Sequence, residues 1–369
     1  MKLPKINHAF LSAGCMCLWV LVQMVLFLKS GVKISVDSPL YISGAMDWMG
    51  GNLPNGRNIW YSSYSAFIAG VFWFGGDAKA VVVIQLLFSG IAAGCLYALA
   101  IEWFDRTSAI LVVLFYSLWI PLQEWNTFVY TESLFTSCCI ISFAALTKSK
   151  NTWQYVLSTG LILFTFFLRP TGFAFAVGLI CYFLYSIGSR GSKIKRAVFI
   201  VLTLLSAVVL SLMLKDYTLI ESYSKAEVIY PNISLGLEVP TNLYIPAQDH
   251  STLVRVIQFA FYNPVYFMKL VGLKFLLFIG NVKPYFSWLH NMLIVVFVYP
   301  LYWFAMKGFI HFPKPRKEKY FIAGFVIVQA LAVALTTENW DGRFLIPILP
   351  FIFLLAAWGL VKAVKKFAN

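Results

Sequence analysis

HAFLSAGCMCLWVLVQMVLFL, residues 8–28, holds no acid, lysine or arginine. An uncharged apolar run of roughly 18 residues or more crosses a bilayer as a helix, which satisfies its own backbone hydrogen bonds where no water is available. The run predicts a first membrane span. No convincing small-residue cleavage site follows it, so it is not expected to be a cleaved signal peptide. Nine further runs read the same way: 80–102, 107–122, 131–147, 153–169, 171–187, 197–214, 285–306, 320–336 and 343–362. The 369 residues are 60% apolar and 12% charged. An ordinary soluble domain is about 25% charged. The expectation is an all-α integral membrane protein with about ten transmembrane helices, built as a single polytopic domain over 1–369.

Basic loops stay on the cytoplasmic side. With the N-terminus inside, six basic segments fall inside: MKLPKIN, the turn at Arg106 with Glu102 and Asp105, 148–150, 189–196, 307–319 and the C-terminal KAVKKFAN. They hold 17 basic and 3 acidic residues, so the whole net charge of +14 sits inside. The outer segments are balanced. The basic excess is thus a topology signal, and no nucleic-acid partner is expected.

VIQFAFYNPVYFMKLVGLKFLLFIG (256–280) tests that count. As an eleventh span it would move the basic loop 307–319 outside. It would also bury Lys269 and Lys274, each costing about 2.5–3.5 kcal/mol at a helix centre. It is read as interfacial or re-entrant. Two large outer loops result, 29–79 and 215–284, with short outer connections at 123–130, around Arg169 and at 337–342.

Ionisable residues near lipid are expensive and raise a functional hypothesis. ISVDSPLYISGAMDWMGG (34–51) carries Asp37 and Asp47 and reads as a short interfacial helix with Pro39 in its first turn. Asp37 suits an N-cap, a catalytic base, or both, since a cap also fixes a carboxylate in place. A Gly/Asn/Pro loop around Arg57 precedes a second aromatic stretch, Trp60 to Phe74, which includes Tyr61 and Tyr64. An aromatic belt explains those rings but not the length of the loop.

Glu124 and Glu132 flank the next outer turn, with Glu132 placed to bind or to cap a helix. In LRPTG (168–172), Arg169 with the helix start at Pro170 suits an anion, or a snorkelling arginine. In TENWDGRFLIPILPF (337–351), Arg343 opens the last run with Glu338 nearby, suiting phosphate or a structural ion pair. All six cysteines fall in predicted spans, so no exported disulfide framework is expected. The four histidines lack metal-ligand spacing, and no glycine-rich phosphate loop is present. Asp37, Asp47 and Glu132 are carboxylates able to gather around a divalent cation, although no spacing demands one.

The order of these motifs resembles the GT-C superfamily of polyprenyl-phosphate-sugar-dependent glycosyltransferases. It is most similar to the protein O-mannosyltransferase and aminoarabinose-transferase branch. The resemblance covers about 1–350 and rests on five elements. These are Asp37 opening the first outer loop, the Tyr-rich stretch before the second span, Thr131-Glu132, Leu168–Gly172, and Arg343-Phe344 with Pro347 and Pro350.

The resemblance implies a lipid-phosphate sugar donor and attack by a glycan, lipid or protein hydroxyl with inversion. It implies Asp37 as base, Glu132 as an orienting or binding carboxylate, and Arg169 and Arg343 as phosphate ligands. It also implies a bacterial inner-membrane protein with its site facing the periplasm. The sequence departs from the family in three ways. WYSSYSAF (60–67) replaces a Glu-Lys-Pro-Pro-like element, which leaves Arg57, Lys269 and Lys274 as candidates for the donor phosphate. The chain has fewer spans than is common in the group, and no soluble C-terminal domain is expected. Asp47, Tyr61 and Tyr64 are candidates for the acceptor or sugar. Two rivals are an O-antigen polymerase or ligase, which also uses lipid-linked sugars, and a lipid or sugar transporter. A transporter predicts charges deep in several spans or broken helices repeated in two halves, and the sequence shows neither.

Overall fold

The computed structural model describes residues 8–186, 201, 208–215, 217–229, 233–313, 316–336 and 342–368. Among the described residues, regular structure is helical and extended pairing is limited to two isolated bridges. The chain packs into two compact units.

The first unit comprises Met1–Arg169, Pro300–Lys314 and Ile346–Asn369. It opens with α1 (His8–Ser30), which carries Lys29 in its last turn, where a cation suits the helix dipole. The loop 29–79 forms the two helices expected of it. These are α2 (Ser38–Met49) and α3 (Ser62–Trp73), joined by a 3₁₀ turn at Gly56–Tyr61. Helices α4 (Ala78–Trp103) and α5 (Arg106–Leu118) start on aspartates. Asp77 accepts from the Ala80 N–H at 2.9 Å and Asp105 from the Ser108 N–H at 2.8 Å, each satisfying a donor the first turn cannot. The short α6 (Ile120–Gln123) and a 3₁₀ turn (Glu124–Thr127) follow, bent 67° from α5. Helices α7 (Thr131–Lys148) and α8 (Thr152–Phe166) complete this part.

Helix α7 is buried on nearly every side, from Thr131 to Ile140 without a break. Its Ser and Thr residues therefore meet protein rather than lipid, so a polar helix is tolerated in an apolar chain.

The second unit comprises Pro170–Tyr299 and Pro315–Leu345. It contains α9 (Gly172–Ser186), α10 (Leu219–Ser224), α11 (Thr252–Tyr262), α12 (Pro264–Gly280), the first half of α13 (Trp288–Ile310), and α14 (Lys317–Leu335). Phe175 of α9 sits edge-on to Phe321 and Phe325 of α14. Leu219, Tyr223, Val228, Phe259, Tyr266 and Leu270 form a separate buried core for the 215–284 region. Within it the Tyr266 hydroxyl donates to the Tyr223 carbonyl at 2.6 Å, and the Tyr223 hydroxyl donates to the Leu335 carbonyl.

Among the described residues, four helical segments are long and apolar enough to cross a membrane: Leu11–Ser30, Ala78–Trp103, Trp288–Ile310 and Lys317–Leu335. The count rises to six if each of two bent pairs is one span. The second pair is α11 and α12, bent by 113°. The 256–280 segment is therefore not a straight span. It breaks at Asn263-Pro264, where proline lacks the N–H needed to continue a helix but suits the first turn of a new one. Most of the run expected at 197–214 lies outside the described residues, and its described end, 208–214, is helical.

The last helix, α15, runs Leu349–Ala368 rather than 343–362. Arg343 lies in a turn before it instead of opening it. Pro347 and Pro350 explain the delay, because proline lacks the N–H that a helix interior needs and is tolerated in a first turn, where Pro350 sits. In the first unit, α15 meets the second half of α13 at Gly308 and Gly359. A side chain at Gly308 would collide with the Leu355 carbonyl, and one at Gly359 with the Phe304 carbonyl. Glycine at both positions permits that close crossing.

Candidate functional site

The first unit stitches the start of the 29–79 loop to the turn before α7. Gly31, at φ +61°, ends α1, and the chain then pairs with the 127–129 segment. The Lys33 N–H donates to the Thr127 carbonyl at 2.9 Å, and the Val129 N–H donates to the Lys33 carbonyl at 3.0 Å. The Lys33 ammonium adds an ion pair with Glu124 at 3.2 Å and lies 4.8 Å above the Phe128 ring.

Two further bonds hold the base candidate. The Asp37 N–H donates to the Tyr130 hydroxyl at 2.8 Å, and the Ser38 hydroxyl donates to the Val129 carbonyl at 3.1 Å. Asp37 occupies the N-cap position of α2, yet its side chain makes no capping hydrogen bond. The cap reading is not realised, and the half-buried carboxylate is not committed to the helix end.

Tyr130 is two residues before Glu132. Its ring packs against Tyr41 at 5.8 Å, and Tyr41 packs against Tyr61 and Tyr64 at 5.3 and 5.1 Å. Four tyrosines thus tie α2 and α3 to the start of α7. Glu132 lies in the first turn of α7 and pairs with Arg169 at 3.3 Å. Both side chains are buried, at 1% and 5% exposure. The Thr131 hydroxyl donates to Glu132 at 3.3 Å, and the guanidinium lies 5.6 Å from the Phe135 ring. The two residues expected to act separately are therefore one ion pair.

Tyr64 is fully buried and donates to Gln85 at 2.7 Å. Burial first, and then the charge of Glu132, push its phenol well above the usual range. Gln85 donates to the Phe128 carbonyl at 2.8 Å. Beside it a buried polar network joins six elements. Gln23 of α1 donates to Gln123, Asn126 donates to Ser89 of α4, Ser133 of α7 donates to Asn126, and Gln123 donates to the Tyr116 carbonyl of α5. Such buried groups persist when every member has a partner, because an unmade bond is costly there.

Arg57 is exposed on the 3₁₀ turn, and Tyr61 is half-buried. Trp60 stacks on Phe167 at 6.4 Å, two residues before Arg169. Asp47 is exposed at the opposite end of α2 from Asp37. Among the described residues no three His, Cys, Asp or Glu come together as a metal-holding group. Asp37, Asp47 and Glu132 do not gather around a cation, because ten residues of helix, roughly 15 Å, separate the two aspartates.

The other donor candidates belong to the second unit. Lys269 is exposed. Lys274 is fully buried, with its ammonium 4.9 Å from the Tyr223 ring and without a hydrogen-bond partner. Five residues apart on α12, they point about 140° away from each other, so they do not form one clamp. Arg343 is half-buried with its guanidinium 5.4 Å from the Phe344 ring.

Sequence reasoning missed Lys33, Tyr130, Gln85 and the network around Asn126. Glutamines and asparagines inside apolar runs were the available signal for the network. It also missed Lys283, which is fully buried and donates to the Leu277 carbonyl at 3.1 Å.

No protein-family model matches the chain, and no curated protein matches it in sequence. Among solved structures it is similar to ArnT from Cupriavidus metallidurans in the apo state, with a TM-score of 0.50 and 15% identity. The match covers 96% of this chain and 62% of that one, so the chain spans somewhat under two thirds of that protein's length. The overall helical fold is the shared feature.

Proposed function

We propose that this chain is a membrane glycosyltransferase that moves a sugar from a polyprenyl-phosphate donor to an acceptor hydroxyl, with inversion. The observation that carries the reading is the setting of Asp37. Its backbone is held by Tyr130, two residues from the Glu132–Arg169 pair.

In the proposed step, Asp37 takes the proton of the acceptor hydroxyl as that oxygen bonds to the anomeric carbon. The bond from that carbon to the phosphate oxygen breaks, and polyprenyl phosphate leaves with the electron pair. A positioned base and positive charge at the leaving group are the two demands of this chemistry. Glu132 and Arg169 supply a fixed dipole beside the base, with Glu132 orienting the guanidinium. Arg57 is assigned to the donor phosphate, and Asp47 and Tyr61 to the acceptor; Lys269, Lys274 and Arg343 are phosphate candidates of the second unit taken by itself. Tyr64, buried and bonded to Gln85, supports the site rather than touching sugar. The basic segments assign the site to the outer face, which in a bacterium is the periplasmic face of the inner membrane. On that reading the loops 29–79 and 215–284 and the short connections near Glu132, Arg169 and Arg343 share that face.

The test is transfer by purified full-length protein in detergent, with radiolabelled polyprenyl-phosphate sugars, comparing wild type with Asp37→Asn. Label leaving the donor in wild type and staying on it in the variant supports the proposal. Wild-type-like transfer by the variant removes Asp37 from its role. Absence of any reaction with every donor favours the transporter reading.

A further inference from the structure

The far end of α2, where Asp47 is assigned to the acceptor, carries a pocket remote from Asp37. This pocket, of about 350 Å³, opens between α2, α3 and the loop joining them. Its lining includes Gly44, Asp47, Asn52, Asn55, Asn58 and Ser65. Ligand pockets run from about 300 to 1,000 Å³, so the size suits one small polar group rather than a lipid chain.

Each asparagine amide offers two donors and an acceptor, the serine hydroxyl offers both, and the carboxylate accepts only. A ring of hydroxyls, each both donor and acceptor, matches that mixture. Phosphate does not: Asp47 is the single ionisable group lining the pocket, and no lysine or arginine lines it. The same carboxylate suits the ammonium of an amino sugar.

The lining is held by specific backbone geometry. Gly51 turns the chain at φ +79°, a conformation that other residues rarely adopt. The turn lets the Asn52 N–H donate to the Asp47 carbonyl at 2.9 Å. The Asn58 N–H donates to the Asn55 carbonyl at 3.0 Å, which sets the spacing of those two side chains. Gly44 gives Ser65 room to enter, since a Cβ there would stand 2.6 Å from the Ser65 hydroxyl oxygen.

We infer that this pocket binds a neutral or amine-bearing sugar ring of an extended glycan acceptor, remote from the ring that reacts. The inference rests on the proposed transfer at Asp37 and adds the acceptor class. Gly44 and Asp47 lie seven and ten residues along α2 from Asp37, roughly 10–15 Å at 1.5 Å per residue. A ring seated in the pocket is too far away to present its own hydroxyl to Asp37. The acceptor must therefore be an oligosaccharide or a glycolipid carrying one.

The test uses full-length protein in detergent micelles and saturation-transfer NMR without donor. The probes are chitotriose, mannotriose and a glucosamine trisaccharide, with inorganic phosphate as competitor. At least one trisaccharide is expected to bind wild type, with the strongest transfer confined to one terminal ring. The Asn52→Ala/Asn55→Ala double variant is expected to weaken that binding at least tenfold. Both residues are exposed, so the variant retains its fold. Gly44→Val, which displaces Ser65, is expected to act in the same direction, and Asp37→Asn is expected to keep the binding. Failure of all three trisaccharides to bind, unchanged binding in the double variant, or displacement by phosphate would each overturn the inference. Failure of the reaction reading looks different: wild type would consume no lipid-phosphate sugar, whatever the trisaccharides do.

Discussion

Glu132 and Arg169 meet 3.3 Å apart with almost no solvent on either side. A buried pair of this kind does little for net stability, yet breaking it strands a charge in a poor solvent. On the proposed reading, its value lies in holding a guanidinium at one place near the segment that carries Tyr130.

Glu132→Ala alone is expected to destabilise the protein by about 3–5 kcal/mol, the usual cost of orphaning a buried partner. The double variant Glu132→Leu/Arg169→Met is expected to recover most of that stability and none of the transfer activity. Thermal unfolding in detergent, read alongside donor turnover, checks both. A double variant no more stable than Glu132→Ala would mean that the pair is not the unit described.

Asp37→Asn keeps the side chain's size at a half-buried position and is expected to cost at most about 1 kcal/mol of stability, the centre of the range for point substitutions. Transfer is expected to fall by about 10²–10⁴, the usual contribution of a positioned general base. The split between unfolding and turnover is the reading to take. A large loss of stability would show the carboxylate to be structural.

Tyr130→Phe deletes the hydroxyl that accepts from the Asp37 N–H at 2.8 Å. The expected cost is about 1 kcal/mol, the net worth of one such bond. Transfer is expected to drop with the donor KM unchanged, because the variant misplaces the base without touching the phosphate ligands. An altered KM with an unaltered turnover rate would contradict the positioning role.

Lys274→Met is expected to raise the unfolding temperature, with donor affinity measured alongside. A fully buried ammonium without a hydrogen-bond partner costs the fold stability, and an apolar side chain of similar length removes that cost. Lys269→Ala, at an exposed position, is expected to leave stability alone and weaken donor binding only. If Lys274→Met stabilises the protein and donor affinity holds, Lys274 has no part in binding.

Much of the architecture was readable beforehand. The run at 8–28 became α1, the 34–51 stretch became α2 with Pro39 in its first turn, and the first loop holds two helices. Helix periodicity and proline chemistry are local, so a window of sequence contains them. The delayed start of α15 was also local: Pro347 and Pro350 were visible, and hydropathy alone hid their effect. Tyr130 and the Gln23–Gln123–Asn126–Ser133 network were not readable, since these partners lie as much as 100 residues apart and a hydropathy window averages their polarity away.

Composition and the placement of charge determined by themselves that this chain crosses a membrane repeatedly. Both follow from the cost of moving each residue into hydrocarbon, which sums along the chain without reference to neighbours. Only the tertiary structure decided that Glu132 and Arg169 are one pair, that Tyr130 holds Asp37, and that Lys274 faces the core while Lys269 faces out. Those outcomes depend on which helix faces meet. The energies that choose them, a hydrogen bond here and a desolvated charge there, exist only once distant segments are in contact.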